Sequence, residues 1–437
     1  MNTNIEDEHA SFTVPEVRQV QQTETTRANH YTERKVTRVG EPVNGNDDII
    51  TAGEWGNFDK NEKRFTKMPT PFTLNCFRDL LRVGAWLGCD DIFLQESSEI
   101  YMKLGNQTYK VTDFELSSED INNVISQTTN TSIVAGVREG RSVAFAFSVP
   151  WFNKQNVESR VRFRGNGTKT IGKFGSSDGM TFSIRRLGEY PPSMDDLKVP
   201  QGIRDCAFPL LGIVWVTGET GSGKTNLIGS FMRHESTLPT GKVITTYEHP
   251  VEFDLRQIPN RVSLIGQTDL NDALGTFADA CKDAMRRNSD IILVGETRDK
   301  ASAKGVINLA QTGHRVYTTL HAGTTDGALS RIINMFEADE QTAIRDALID
   351  TTQAIITQRL ITTKDGKRIP IQSWLKFTPS LKKELYQSNA ETFLKVINKL
   401  YLENGHTMAQ DILEKRDYFT EETFDFLWGV YGDGRQL

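Results

Sequence analysis

Gly218-Glu219-Thr220-Gly221-Ser222-Gly223-Lys224-Thr225 fits the pattern G-x-x-x-x-G-K-[ST] at every fixed position. Ahead of it, Leu211-Gly212-Ile213-Val214-Trp215-Val216 reads as a buried strand; behind it, Leu227, Ile228, Phe231 and Met232 recur at helical spacing. A loop that ends at a helix N-terminus gathers unpaired N–H groups and the positive end of the helix dipole, so an anion is favoured there. Glycines let the backbone approach phosphate without a Cβ in the way. Lys224 offers a point charge for β- and γ-phosphates, and the Thr225 hydroxyl can bind Mg²⁺. Gly218 to Thr225, with the adjoining Asn226, are therefore the candidate nucleotide-binding residues.

A chain of 437 residues has room for two or three cores around such a loop. Its 57 acidic and 51 basic residues leave a net charge of −6, which disfavours a protein that coats nucleic acid, although a local basic channel stays compatible with it. Cys76, Cys89, Cys206 and Cys281 are far apart and form no C-x-x-C pair, so they read as core thiols of a reducing compartment. No apolar run is long enough to span a bilayer and the N-terminus is polar, which leads us to expect a soluble, cytoplasmic chain without direct membrane insertion.

In chain order, residues 1–68 are rich in Thr, Asn, Gln and Glu and are expected to form a disordered polar tail. Residues 69–189 read as a separate α+β domain. Phe77, Leu80, Leu81, Gly84 and Leu87 mark one helix face; Ile92-Phe93-Leu94, Ile100-Tyr101-Met102 and Lys110-Val111-Thr112 resemble short strands; and Ser117 and Ser118 can cap a second helix. Val143-Ala144-Phe145-Ala146-Phe147 and Val161-Arg162-Phe163-Arg164 alternate as strands, which puts Arg162 and Arg164 on one face, and Ser183-Ile184-Arg185-Arg186 adds two guanidinium groups. Such a face is either solvated or used for bidentate contact with phosphate. Residues 190–200, opening on Tyr190-Pro191-Pro192-Ser193, are the linker.

Residues 201–375 alternate buried strand and helix, as a parallel sheet with crossover helices requires. Besides the phosphate loop, three blocks carry polar residues at strand ends, where open α/β sheets bind ligands. In Val243-Ile244-Thr245-Thr246-Tyr247-Glu248-His249-Pro250-Val251-Glu252, Glu248 is either a solvated loop acid or the group that orients or deprotonates water. In Asp290-Ile291-Ile292-Leu293-Val294-Gly295-Glu296-Thr297-Arg298-Asp299, a four-residue apolar strand delivers Glu296 to the Mg²⁺ shell or to water. In the block from Gln311 to Thr324, a strand from Arg315 to Leu320 separates His314 from His321 and places His321 on the phosphate-loop side, where it can donate to a γ-phosphate; the bland alternative is an ordinary core or surface histidine. Residues 376–437, with Phe393, Ile397, Leu400 and Tyr401 at helical spacing, form a C-terminal helical region.

In this order, GETGSGKT, TTYEHPVEF, SDIILVGETRD and QTGHRVYTTLHAGT resemble the four signature boxes of the secretion (traffic) ATPase superfamily. The likeness runs from about Pro69 to Gly432 and is greatest to the pilus-retraction (PilT-like) and type IVB secretion or conjugation (DotB-like, plasmid TraJ-like) branches. It implies a RecA-like P-loop ATPase domain preceded by a PAS-like α+β domain, ATP and Mg²⁺ as ligands, and a homohexamer on inner-membrane secretion or pilus platform proteins. It further implies that the N-terminal domain lends Arg162, Arg164, Arg185 and Arg186 to a neighbouring subunit, that Glu248 and Glu296 activate water, and that His321 lies near the γ-phosphate. Two positions depart from the pattern: His249 stands where relatives have Asp, and Glu219 where proline is common. The stretch from Ala347-Leu348-Ile349-Asp350 to Ile355-Ile356-Thr357-Gln358-Arg359-Leu360 matches the family's helix that carries Gln-x-Leu near its end. A pilus-retraction motor, a RecA-like DNA motor and a scaffold that binds ATP without hydrolysing it are the alternatives.

Overall fold

The computed structural model describes residues 42–43, 46–105, 107–152, 158–172, 178–270 and 275–432. Three sheets organise them. A small antiparallel sheet takes β1 (Pro42–Val43), β2 (Asn46–Thr51), β3 (Asn57–Asp59) and β4 (Arg64–Phe65) in sequence order. A six-stranded antiparallel sheet contains β5 (Asp91–Gln95), β6 (Tyr101–Leu104), β7 (Gln107–Lys110), β8 (Val143–Phe152), β9 (Glu158–Thr170) and β10 (Gly179–Arg186), ordered 7-6-5-10-9-8.

The first sheet corrects the expectation of a polar tail over residues 1–68. Residues 1–41 lie outside the described residues, but Ile50, Trp55, Phe58 and Phe65 are buried in one core with Phe77, Leu80 and Leu81 of the helix Leu74–Leu87. The Trp55 indole Nε1 donates to the Cys76 carbonyl at 2.7 Å. Four apolar side chains scattered among polar ones carry no period that a sequence window detects, yet each is a large group with a prepared place to pack. The helix Ser118–Thr128 begins as anticipated, with Ser117 and Asp120 forming a capping box. The helix Thr131–Arg138, capped by Asn130, was not anticipated. Val111 and Thr112, read as strand, lie just past β7.

The third sheet has seven strands: β11 (Gly212–Thr217), β12 (Val243–Glu248), β13 (Leu264–Asp269), β14 (Ile291–Val294), β15 (Arg315–Leu320), β16 (Thr352–Thr362) and β17 (Arg368–Lys376), ordered 13-12-14-15-11-16-17. All pairings are parallel except that of β16 with β17. Alternate residues serve opposite faces. Ile213, Trp215, Ile292 and Val294 pack with the helices Phe277–Ala284, Lys300–Gln311 and Thr325–Ile333, while Val214, Val216, Ile291 and Leu293 pack with the helix Lys224–Ser236. Of the stretch matched to one helix, Ala347 to Asp350 do lie in the helix Gln341–Thr351, but Ile355 to Leu360 is part of β16: its Ile-Ile-Thr run is β-branched and finds a place between β11 and β17. Among the described residues no helix is long and apolar enough to cross a membrane.

The linker is packed, not free. The Arg233 guanidinium lies 5.1 Å from the Tyr190 ring and donates to the Pro191 carbonyl at 3.0 Å, so the connection is fastened to the helix that follows the phosphate loop. Beyond β17, the helices Pro379–Tyr386, Phe393–Asn404, Met408–Glu414 and Glu421–Tyr431 form the C-terminal region. All four cysteines are free and buried. Burial pushes the Cys89 thiol up to about 11 and those of Cys206 and Cys281 up to about 12.

Candidate nucleotide-binding site

The phosphate loop leaves β11 between β15 and β16, so residues from three strand ends meet it. Gly218 has φ 147°, and a Cβ there would lie 2.2 Å from the Gln358 carbonyl oxygen; Gly223 has φ 85°, and its Cβ would lie 2.8 Å from Gln358 Nε2. Only glycine fits both the angle and the space. The helix Lys224–Ser236 starts at Gly223 with no side-chain cap, whereas the neighbouring helices of the same sheet are capped by Thr276, Asp299 and Thr324. Its first N–H groups are thus left for an outside acceptor.

Lys224 is buried, and its Nζ donates to the carbonyls of Gly218 at 2.9 Å and Glu219 at 2.7 Å. Burial lowers its pKa, opposed by Glu296, Glu219 and Glu252. The Ser222 hydroxyl is buried and makes no hydrogen bond. A folded-back ammonium, an unpartnered hydroxyl and an uncapped helix end are all groups that a triphosphate would satisfy, so the residues present fit that ligand.

A cleft of about 280 Å³ opens over the loop. It is lined by Thr220, Gly221, Lys224 and Thr225 of the loop, by Glu248, Glu296 and His321, and by Arg164. His321 Nε2 lies 3.4 Å from Glu296 Oε1. Burial lowers the His321 pKa, and Lys224 adds to this while Glu296 opposes it. Glu248 is buried, and burial pushes its carboxyl up to about 7 despite hydrogen bonds from Thr246 Oγ1 at 2.6 Å and Gln267 Nε2 at 3.1 Å, both to Oε1. A carboxyl that titrates near neutrality beside a phosphate loop can take a proton from water. Thr225 and Glu296 both line the cleft and have oxygens that could hold a Mg²⁺ ion.

Not every expected residue comes to this place. Asn226 is exposed and does not line the cleft. Glu219 points away from it and pairs with Arg359. Arg162 and Arg164 do share a face of β9, and within one chain they face that chain's own ATPase domain, where the resemblance implied a neighbouring subunit's: Arg164 lines the cleft and its Nη1 reaches Glu252 Oε1 at 3.2 Å, while Arg162, outside the cleft lining, donates to the carbonyls of Val251 at 2.8 Å and Glu252 at 3.4 Å. Arg185 instead holds Asp91 with two bonds of 2.9 Å, and Arg186 donates to the Ala85 carbonyl at 2.8 Å, so within one chain both are turned to their own domain. His314 is at the far end of β15, with Nδ1 3.1 Å from the Leu309 carbonyl oxygen.

Two residues at the site, Gln267 and Asp269, escaped sequence reasoning, and Gln358 entered it only as part of the Gln-x-Leu match, with no role. Gln267 bonds Glu248, donates to the Phe253 carbonyl at 3.0 Å and accepts from the Leu255 N–H at 2.8 Å. Gln358 donates to the Ser222 carbonyl at 2.6 Å. Asp269, two residues beyond Gln267 on the unforeseen strand β13, accepts from Val251 N at 3.1 Å and lies 4.0 Å from His249 Nδ1, an acid beside the position where the pattern lacks one. A larger hollow of about 970 Å³ lies between β8, β9 and β13, lined by Arg162 and Gln267 but not by the phosphate loop, so size alone does not mark the chemistry.

A profile of the family described as type II/IV secretion system protein matches residues 177–407. The chain is 29% identical over 299 residues to the twitching motility protein of Neisseria gonorrhoeae, covering 68% of this chain and 75% of that one. It is 27% identical over 307 residues to the type IV pilus retraction ATPase PilT of Pseudomonas aeruginosa, covering 70% and 83%. Among solved structures, the Legionella pneumophila ATPase DotB superposes with a TM-score of 0.72 at 25% identity, over 84% of this chain and 98% of that one. The pilus retraction motor PilT with bound ADP gives 0.68 at 25% identity, over 80% and 96%. The core sheet is that of a RecA-like P-loop ATPase, and the chain belongs to the type II/IV secretion system protein family.

Proposed function

We propose that this chain is a Mg²⁺-dependent ATP hydrolase that works as a hexameric motor of a type IVB-like secretion or conjugative transfer system at the cytoplasmic face of the inner membrane. The observation that carries the reading is the convergence of Lys224, Thr225, Glu248, Glu296, His321 and Arg164 on one cleft. Lys224 exchanges its carbonyl partners for phosphate oxygens, and Thr225 and Glu296 would hold the Mg²⁺ ion. Bound Mg²⁺ would offset phosphate charge. Glu248 accepts the proton of the attacking water, while His321 and Arg164 donate to the terminal phosphate. Loss of that phosphate removes what Arg164 grips, which frees the N-terminal domain to turn.

The likeness to DotB supports the secretion reading, and the likeness to PilT and the twitching motility protein supports a second, a pilus-retraction motor. Either would dock on membrane platform proteins. The net charge of −6 disfavours a DNA motor. Purified protein with Mg²⁺ and ATP is expected to release phosphate slowly, with Lys224→Ala and Glu296→Gln each abolishing release and EDTA stopping it. Turnover that survives both substitutions would overturn the site. Light scattering with and without nucleotide tests the ring, and monomers under all conditions would remove it.

A further inference from the structure

A line of buried polar groups leads from the phosphate loop into the C-terminal helices. The Ser222 carbonyl accepts from Gln358 Nε2 at 2.6 Å, and Gln358 Oε1 accepts from Gln372 Nε2 at 2.7 Å. The backbone N–H of Gln372 donates in turn to Asp411 Oδ2 at 2.7 Å, an oxygen that also accepts from Lys415 Nζ at 2.7 Å. Gln358, Gln372 and Asp411 are 5%, 2% and 1% exposed. The order of donors is forced: a backbone carbonyl only accepts, so Gln358 must present its amide nitrogen to Ser222, which leaves its oxygen for the nitrogen of Gln372. Reversing either amide strands two buried groups.

A second link runs beside the first. Arg359 pairs with Glu219 of the loop, and its guanidinium lies 5.8 Å from the ring of Tyr431 in the helix Glu421–Tyr431. Arg368 reaches the Gly221 carbonyl at 3.5 Å. Glu219, Gly221 and Ser222 are thus all held from β16 and β17, and both strands are backed by the C-terminal helices. On the reading that the loop binds nucleotide, we propose that Gln358, Gln372 and Asp411 are positioning residues through which the C-terminal helices set the shape of the phosphate loop. Coupling of this kind is reciprocal: what fixes the loop must also fix the helix Met408–Glu414.

The test uses the full chain, ADP and hydrogen exchange. ADP is expected to slow exchange in residues 218–226 and also in residues 408–415, which line no part of the cleft. Gln372→Leu is expected to weaken ADP binding roughly tenfold, the size of one lost hydrogen bond, and to abolish protection of 408–415 while keeping that of the loop. Should Gln372→Leu fail to fold, the comparison within wild-type protein still decides. Protection of the loop with none at 408–415, or unchanged ADP affinity in folded Gln372→Leu, would overturn the relay alone. Absence of any ADP effect on residues 218–226 in the wild type would overturn the nucleotide reading itself, and the relay with it.

Discussion

Arg164 of β9 reaches across the chain to place Nη1 3.2 Å from Glu252 Oε1, beside the phosphate loop. Both side chains are about a third exposed or more, so the pair contributes little to stability, about 0–1 kcal/mol. Its value is positional: it keeps a guanidinium at the cleft before any phosphate arrives. Arg164→Ala is expected to lower kcat by roughly 10²- to 10³-fold, the scale of losing one charge-stabilising donor, with hardly any change in Tm. Steady-state phosphate release and a thermal melt on the same preparation check this.

Glu248 supplies a pH dependence in two directions. Its folded pKa is raised by burial from 4.5 to about 7, so folding favours the protonated form. The stabilisation is fully present below pH 4.5 and lost as pH rises through about 7. Glu248→Gln is therefore expected to be the more stable protein above pH 7, by up to about 3 kcal/mol in the absence of nucleotide, with the gap closing toward pH 4.5. Turnover of the wild type runs the other way and rises with pH through about 7, because a base must be ionised. Urea titrations and kcat at a series of pH values measure the two trends.

Trp55 makes the stretch from Asn46 to Phe65 part of the folded core. Its side chain is fully buried against the helix Leu74–Leu87 and hydrogen-bonded to Cys76. Trp55→Ala is expected to cost about 3–5 kcal/mol. A truncation starting at Pro69 uncovers the same face and is expected to aggregate, whereas one starting at Pro42 keeps the sheet. Solubility and chemical denaturation of the two truncations separate the outcomes.

Gly223 tolerates no side chain, having φ 85° and Gln358 Nε2 2.8 Å from the missing Cβ. Gly223→Ala is expected to abolish nucleotide binding at a stability cost of about 1–3 kcal/mol. Gly221→Ala meets no neighbour within 4 Å, and its penalty comes from φ 76° alone, so its binding defect should be the smaller. Titration with ADP ranks the pair.

What could be read from the sequence was local. A glycine-rich loop between an apolar strand and a helix, or Ile291 to Val294 followed by Glu296, carries its meaning within about ten residues. Gln267 carries none in that span, and Gln358 shows there only as part of a Gln-x-Leu pattern, because their roles depend on β13 pairing with β12 and on β16 lying beside β11. Glu219 was legible as a departure from the pattern, but its partner Arg359 is 140 residues away. Arg185 shows the opposite error. Strand alternation gave its neighbourhood correctly, while only tertiary packing reveals that Asp91, paired to it across β5 and β10, takes up its charge.

The neighbour of β11 on one side, β16, is made late: Ser222 and the amide that braces it are 136 positions apart. A nascent chain emerging from the ribosome therefore displays its glycine-rich loop long before the brace exists. Until Gln358 clears the exit tunnel, a nucleotide has no finished pocket to select, and the early-made portions must fold without a ligand as template.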